Sequence, residues 1–397
     1  RHALIGIIKN TIGAMTEKLD DGTFAPENAD EVLDVLNLYY RCEEGICGAE
    51  SNGITTDPAA VQETLDDISS GKNLTGKIAG NDATGQYKDW NTEGIVGWTE
   101  GISPEGLIDA WFQMLADASV ARVDGTIPND PAGNPITKVY VTAEGHDLAQ
   151  LIQKFLLGAV AFSQGADDYL DDDTAGKGIM ADNTADVEGK SYTALEHNWD
   201  EGFGYFGAAV DYMDYTDDEI AGKGGREDWQ KYHDTNGDGA IDLKSEYNFG
   251  HSVNAAKRDR GSSTDLTTEA FEAFHAGRTL ISAAGGALSD EQMDELKGYR
   301  DQAVLAWEKA IAATAIHYIN DTLKDMESGD DYDFYDHAKH WSELKGFALS
   351  LQFNRASPVT PENFARVQAL IGTAPALPGA ENFDAYGDGL LEARAIL

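Results

Sequence analysis

The stretch QLIQKFLLGAVAF (150–162) decides the fold class. It is apolar nearly all the way round a helical wheel and lies inside a helical pattern spanning residues 147–170. A helix with no polar face must be covered on every side, so this pattern predicts a bundle packed about a central helix. Outward from it the same 3.6-residue period recurs. On the N-terminal side, ALIGIIKNTIGAMTEKL (3–19) lines up Leu4, Ile7, Ile8, Ile12, Met15 and Leu19, and residues 30–40, 58–68 and 104–123 follow suit. Ser103 offers an N-cap oxygen, and Pro104 stands at the first helical position, where its missing N–H is no loss. On the C-terminal side come 192–215, 267–284, 289–326, 333–353, 361–371 and a stretch near Leu390. Ser289 and Gln292 form a capping-box pattern at the start of the longest of these. Only residues 138–142 suggest β structure, as one short strand or an extended arm. The expected class is all-α.

The chain has 397 residues, 70 of them Asp or Glu and 29 Lys or Arg, for a formal net charge of −41. Such a length exceeds one ordinary core, and an apolar fraction of 42% is enough to fold it. A field this negative repels phosphate backbones and anionic lipid surfaces, so nucleic-acid binding is excluded and cations are the favoured partners. No window approaches the roughly 18 uninterrupted apolar residues of a membrane span. The chain starts inside an amphipathic pattern at Arg1, and its acidity with few lysines suits an exported protein whose signal segment has been removed.

The two cysteines, Cys42 and Cys47, are five positions apart, with no redox C-x-x-C spacing and no further zinc ligands nearby. In an exported protein a small disulfide-closed loop is the sensible reading; two free thiols are the alternative. Long polar loops rich in Gly, Asp and Asn cover 71–102, 124–135, 171–190 and 216–249. Loops of that length in a compact body usually hold a metal or a ligand. An internal echo aligns His197, Trp199, Glu201, Gly204 and Tyr205 with His340, Trp341, Glu343, Gly346 and Phe347. Duplicated helical units would produce it, with 1–190 as an N-terminal bundle and 191–397 as a second one; chance similarity in an aromatic-rich helical chain is the plainer account.

DTNGDGAIDLKSE (234–246) is the strongest local signal. Calcium wants six to eight hard oxygens, and here Asp234, Asn236 and Asp238 alternate at positions 1, 3 and 5. Gly239 permits the sharp turn, Ala240 offers its carbonyl at position 7, and Ile241 anchors the loop to the core. Position 12 departs from the pattern: Ser245 stands there, with Glu246 one residue later, so Glu246 or Asp242 with water would complete the shell.

Two further groups could carry chemistry. His197 with Glu201, and His340 with Glu343, share helix faces at i,i+4 and i,i+3, and each pair could hold an ion such as iron or zinc; an ordinary i,i+4 ion pair, or a buried hydrogen-bonded His between bundle helices, is the competing account. Lys257-Arg258-Asp259-Arg260 is the one tight basic cluster, suited either to neutralising the acidic loop upstream or to holding an anionic ligand group through Lys257 and Arg258. No H-E-x-x-H, G-x-S-x-G, P-loop or dinucleotide fingerprint occurs, which leaves catalysis without a motif. A metallopeptidase, a carbohydrate-active enzyme and a calcium-stiffened surface module stand as rival functions.

EHNWDEGFGYFG (196–207), DTNGDGAIDLKSEYNFG (234–250) and AAKRDRG (255–261) resemble a family of bacterial exported proteins of unknown function related to the imelysin superfamily. The similarity runs from Arg1 to SELKGFALSLQFN (342–354), nearly the whole chain. The resemblance implies two four-helix bundles related by duplication, a periplasmic or outer-membrane-anchored lipoprotein, and a part in iron acquisition. The imelysin G-x-H-x-x-E motif is matched here by Ala338-Lys-His340-Trp-Ser-Glu343, with Ala in place of Gly, and the first unit offers His197 with Asp200 or Glu201. The expectation is an exported metal- or ligand-binding protein with a structural calcium site.

Overall fold

The computed structural model of the chain describes residues 1–42, 47–81 and 86–397. Among these the structure is helical, with fourteen α-helices and β contacts confined to isolated bridges. The N-terminal part contributes α1 (His2–Asp20), α2 (Ala29–Tyr40), the short α3 (Leu65–Ser69) and α4 (Trp90–Glu93), α5 (Pro104–Val123) and α6 (Leu148–Leu156). Then follow α7 (Ala194–Phe206), α8 (Asp217–Ile220), α9 (Gly250–Asp259), α10 (Leu266–Ala284) and the 37-residue α11 (Asp290–Met326). The chain closes with α12 (Phe334–Ser350), α13 (Pro361–Ile371) and α14 (Phe383–Ile396).

The all-round apolar stretch does lie at the centre. α6 packs on α1 and α12, and α12 packs in turn on α11. Beyond Leu156 the helix widens into π turns over Leu157–Phe162 and Gly165–Tyr169, and Phe162 meets Trp307 of α11 at a ring distance of 5.2 Å. Gly346 makes the α6–α12 approach possible, since a Cβ there would stand 3.1 Å from the Phe155 nitrogen and collide with Lys154. One continuous core extends from Leu4 to Ala393, shared by elements on both sides of residue 190.

Caps formed where the sequence offers them. Ser103 accepts from Gly106 N at 3.0 Å, and Ser289 with Gln292 closes a capping box at α11. Elsewhere long-range pairing overrides local pattern. In the predicted helix 58–68 only Leu65–Ser69 is helical, because the backbone before it bonds to residue 241: Val61 N donates to Ile241 O, and Ile241 N to Ala59 O. The helix expected over 192–215 ends at Gly207, whose left-handed conformation (φ 91°) turns the chain beside Phe249. Residues 138–142 form an arm with a single bridge, Val141 to Asp147, and not a strand. Helix α9 falls just past an expected loop and was not apparent from periodicity.

Candidate functional site

The acidic loop closes a hairpin. Tyr232 and Tyr247 pair as an antiparallel bridge with stacked rings, and the loop runs between them. Asp234 organises it: one carboxylate oxygen accepts from Gly237 N at 2.8 Å and Asp238 N at 3.1 Å, the other from Gly239 N at 2.8 Å. Asn236 accepts from Asp238 N, and Asp238 from Ala240 N. Gly237 and Gly239 both have positive φ, so a Cβ would strain this turn. Glu246 is buried and points into the loop, where it accepts from Thr235, Asn236 and Asp242 nitrogens at 3.0, 3.2 and 2.8 Å. Asp242 accepts from Gln62 Nε2 at 2.8 Å, and Leu243 N donates back to Gln62, so the 59–62 segment braces the loop from outside.

The donor set fits a hard cation in chemistry: oxygens only, on a loop already curved around Asp234. Its oxygens are held by the loop's own amides, and among the described residues no group of three or more His, Cys, Asp or Glu side chains converges on a metal position. Asp234 Oδ1 and Glu246 Oε1 each accept two amides, whereas Asp234 Oδ2, Asp238 Oδ1 and Glu246 Oε2 each accept one and keep a second lone pair.

The two His–carboxylate pairs have different partners. His197 stacks on Tyr192 at 5.3 Å and lies 4.0 Å from Glu201, half-exposed. Asp200 is taken by Arg278 at 2.8 Å. His340 binds Asp325 at 2.7 Å; burial opposes its protonated form, but the hydrogen bond and charge of Asp325 prevail and its pKa is raised. Glu343 is buried, accepting from the Tyr318 hydroxyl at 3.0 Å and facing the Lys154 ammonium at 3.4 Å.

In the basic cluster, Arg260 pairs with Asp218, and Arg258 is partly buried with Nε unpartnered. Lys257 instead lines a cavity of about 230 Å³ together with Lys154 and Lys231. Cys42 and Cys47 are joined as a disulfide with Cα atoms 5.3 Å apart.

Sequence reasoning missed the buried acids at the end of the central helix. Asp167 and Asp171 line a cavity of about 330 Å³ with Arg300 and Arg355. Burial, reinforced by neighbouring carboxylates, pushes each up to about 8. Burial thus favours the neutral form of both, and Asp167 accepts from Tyr87 N at 3.2 Å. The run of acids at 167–173 was visible, but nothing local distinguished two buried members from solvated ones.

These features describe an all-α protein with a braced, Asx-rich loop and small polar cavities between its helices. Residues 108–371 match the model of a domain of unknown function, DUF4856, and the chain belongs to that family. The match runs from within α5 to the end of α13 and includes the acidic loop and α9. No curated protein and no solved structure matches the chain.

Proposed function

We propose that this chain is a non-catalytic, calcium-stabilised binding protein of the bacterial cell envelope. The observation that carries the reading is the organisation of the loop around Asp234, with three amides wrapped on one carboxylate and Asn236, Asp238 and Asp242 close behind it in sequence. Calcium bound there would supply positive charge where Asp234, Asp238, Asp242 and Glu246 recur along the sequence of a chain of net charge −41. The chain's own part is to hold the oxygens ready: Gln62 fixes Asp242, and buried Glu246 fixes both ends of the loop. The Cys42–Cys47 disulfide supports export, since such bonds persist in oxidising compartments.

The wider reading is an imelysin-like, duplicated body at the periplasmic face or outer membrane that captures a metal or metal-containing ligand, iron or zinc included. Trp199 and Trp341 support the duplication in that both are buried, on α7 and α12, with their indole N–H groups hydrogen-bonded, although Trp199 donates to Phe274 O at 2.8 Å and Trp341 chiefly to the Tyr386 hydroxyl at 2.7 Å, with Ile371 O at 3.3 Å. Gly204 and Gly346 are less alike, the first open and the second in tight contact.

Melting in calcium and in chelator tests the central claim. A ligand bound only by the native state at about a hundredfold above its Kd adds about 2.7 kcal/mol, a rise in Tm of several degrees. Asp234→Asn with Asp238→Asn should abolish the rise. An unchanged wild-type Tm at millimolar calcium would refute the reading.

A further inference from the structure

We infer that the cavity between α1, α6, α9 and the base of the acidic hairpin is a binding site for a compact dianion, of the phosphate or dicarboxylate type. Lys154 from α6, Lys231 from the hairpin and Lys257 from α9 all line it. No carboxylate does among the described residues, although the chain carries 70. Lys154 has one ion-pair partner, Glu343 at 3.4 Å on α12, while Lys231 and Lys257 form no ion pair among the described residues. In a protein this acidic, three cations brought together with a single ion pair among them need a reason, and a bound anion provides one.

The backbone points the same way. Helix α9 starts at this cavity, and its first residue, Gly250, lies on the wall. Its N-cap residue is Phe249, which provides no side-chain hydrogen bond to the first turn. The N–H groups of that turn are left as donors, and the helix dipole adds positive potential there. Gly250 has φ 50°, and a Cβ on it would come within 2.7 Å of the His2 ring, so the cavity wall tolerates nothing larger. Asn254, Gln153 and Tyr247 add polar groups around the rim. Burial, then the charges of Lys154 and Lys231, bring the Lys257 pKa down to about 8, which is the cost a bound anion would relieve.

The acidic hairpin builds one wall of this site. Asn248 N donates to Lys231 O at 2.8 Å across its base, and both residues face the cavity. The inference thus deepens the binding-protein reading and rests on it for its biological meaning, although the lysines themselves converge irrespective of calcium.

The test is calorimetric titration of the full chain with inorganic phosphate and, separately, with succinate, each in calcium and in chelator. At least one probe should bind saturably. Lys231→Met and Lys257→Met should each weaken it by roughly tenfold or more, Lys257→Arg should retain it, and Lys309→Met, an exposed control paired with Glu269, should leave it unchanged. Phosphate without succinate assigns a tetrahedral oxyanion, and the reverse a dicarboxylate; either supports the site. Absence of binding by both probes in both buffers, or equal binding by the Met variants, overturns it. The calcium melting shift is read independently, so failure of the loop assignment and failure of the anion site are distinguishable.

Discussion

Lys345 is the most exposed point of the energetics, though it is fully buried in space. Its ammonium has one hydrogen-bond partner, the neutral Gln368 Oε1 at 2.8 Å, with the Trp98 ring 5.9 Å away. Burial alone brings its pKa from 10.5 down to about 7. The unfolded chain therefore binds more protons than the native one between these values, and stability rises with pH across that window. At about pH 7 the buried amine costs on the order of 4 kcal/mol, falling below about 1 kcal/mol near pH 10. Lys345→Met keeps the stem and removes this cost, but leaves Gln368 unpaired for about 1–3 kcal/mol. The variant should be more stable than wild type by about 1–3 kcal/mol near pH 7 and equal or less stable near pH 10. Urea unfolding followed by tryptophan fluorescence at stepped pH measures the difference, in which the effect of the large net charge cancels. Parallel pH profiles for the two proteins, or a variant weaker throughout, would refute the argument.

Asp171 is the converse case. Its pKa is pushed up from 3.8 to about 8, so the native state holds the extra proton and stability is lost as pH rises through that range. Asp171→Asn should gain in Tm over wild type progressively from about pH 4 to pH 8, and a pH-independent gap would count against the buried neutral acid. Gly277→Ala probes the α7–α10 contact, where a Cβ would fall on the Trp199 indole. Despite the roughly 1 kcal/mol that Ala offers a helix, overpacking should leave the variant about 1–3 kcal/mol less stable in thermal melts. A stabilised Gly277→Ala would show that α10 can move away from Trp199 at little cost.

Helices with both an apolar stripe and a cap, such as α2, α5, α11 and α13, were legible because the signals are local. The central position of α6 was legible too, but its π turns were not, since apolar periodicity does not specify hydrogen-bond spacing. Residues 58–64 carry a helical pattern that loses to backbone bonds with residue 241, a partner nearly half the chain away. Among the site residues, the loop at 234–246 announced itself by spacing. Lys154, Lys231 and Lys257 did not, because they come from three separate elements and only Lys257 stood in a basic run. The orientation of Glu246 toward the loop amides likewise depends on the hairpin geometry and not on its offset of one position.

The brace from Gln62 and Val61 has a practical consequence for anyone excising this protein. The DUF4856 match begins at residue 108, yet these two side-chain and backbone clamps on 241–243, together with the α1 surface that covers α6, lie before it. A fragment trimmed to the matched region would bare Ile241 and one flank of the central helix to water. The boundary of the family match and the cooperative unit are different objects here, and the shorter one would aggregate or melt early for reasons unrelated to its ligand.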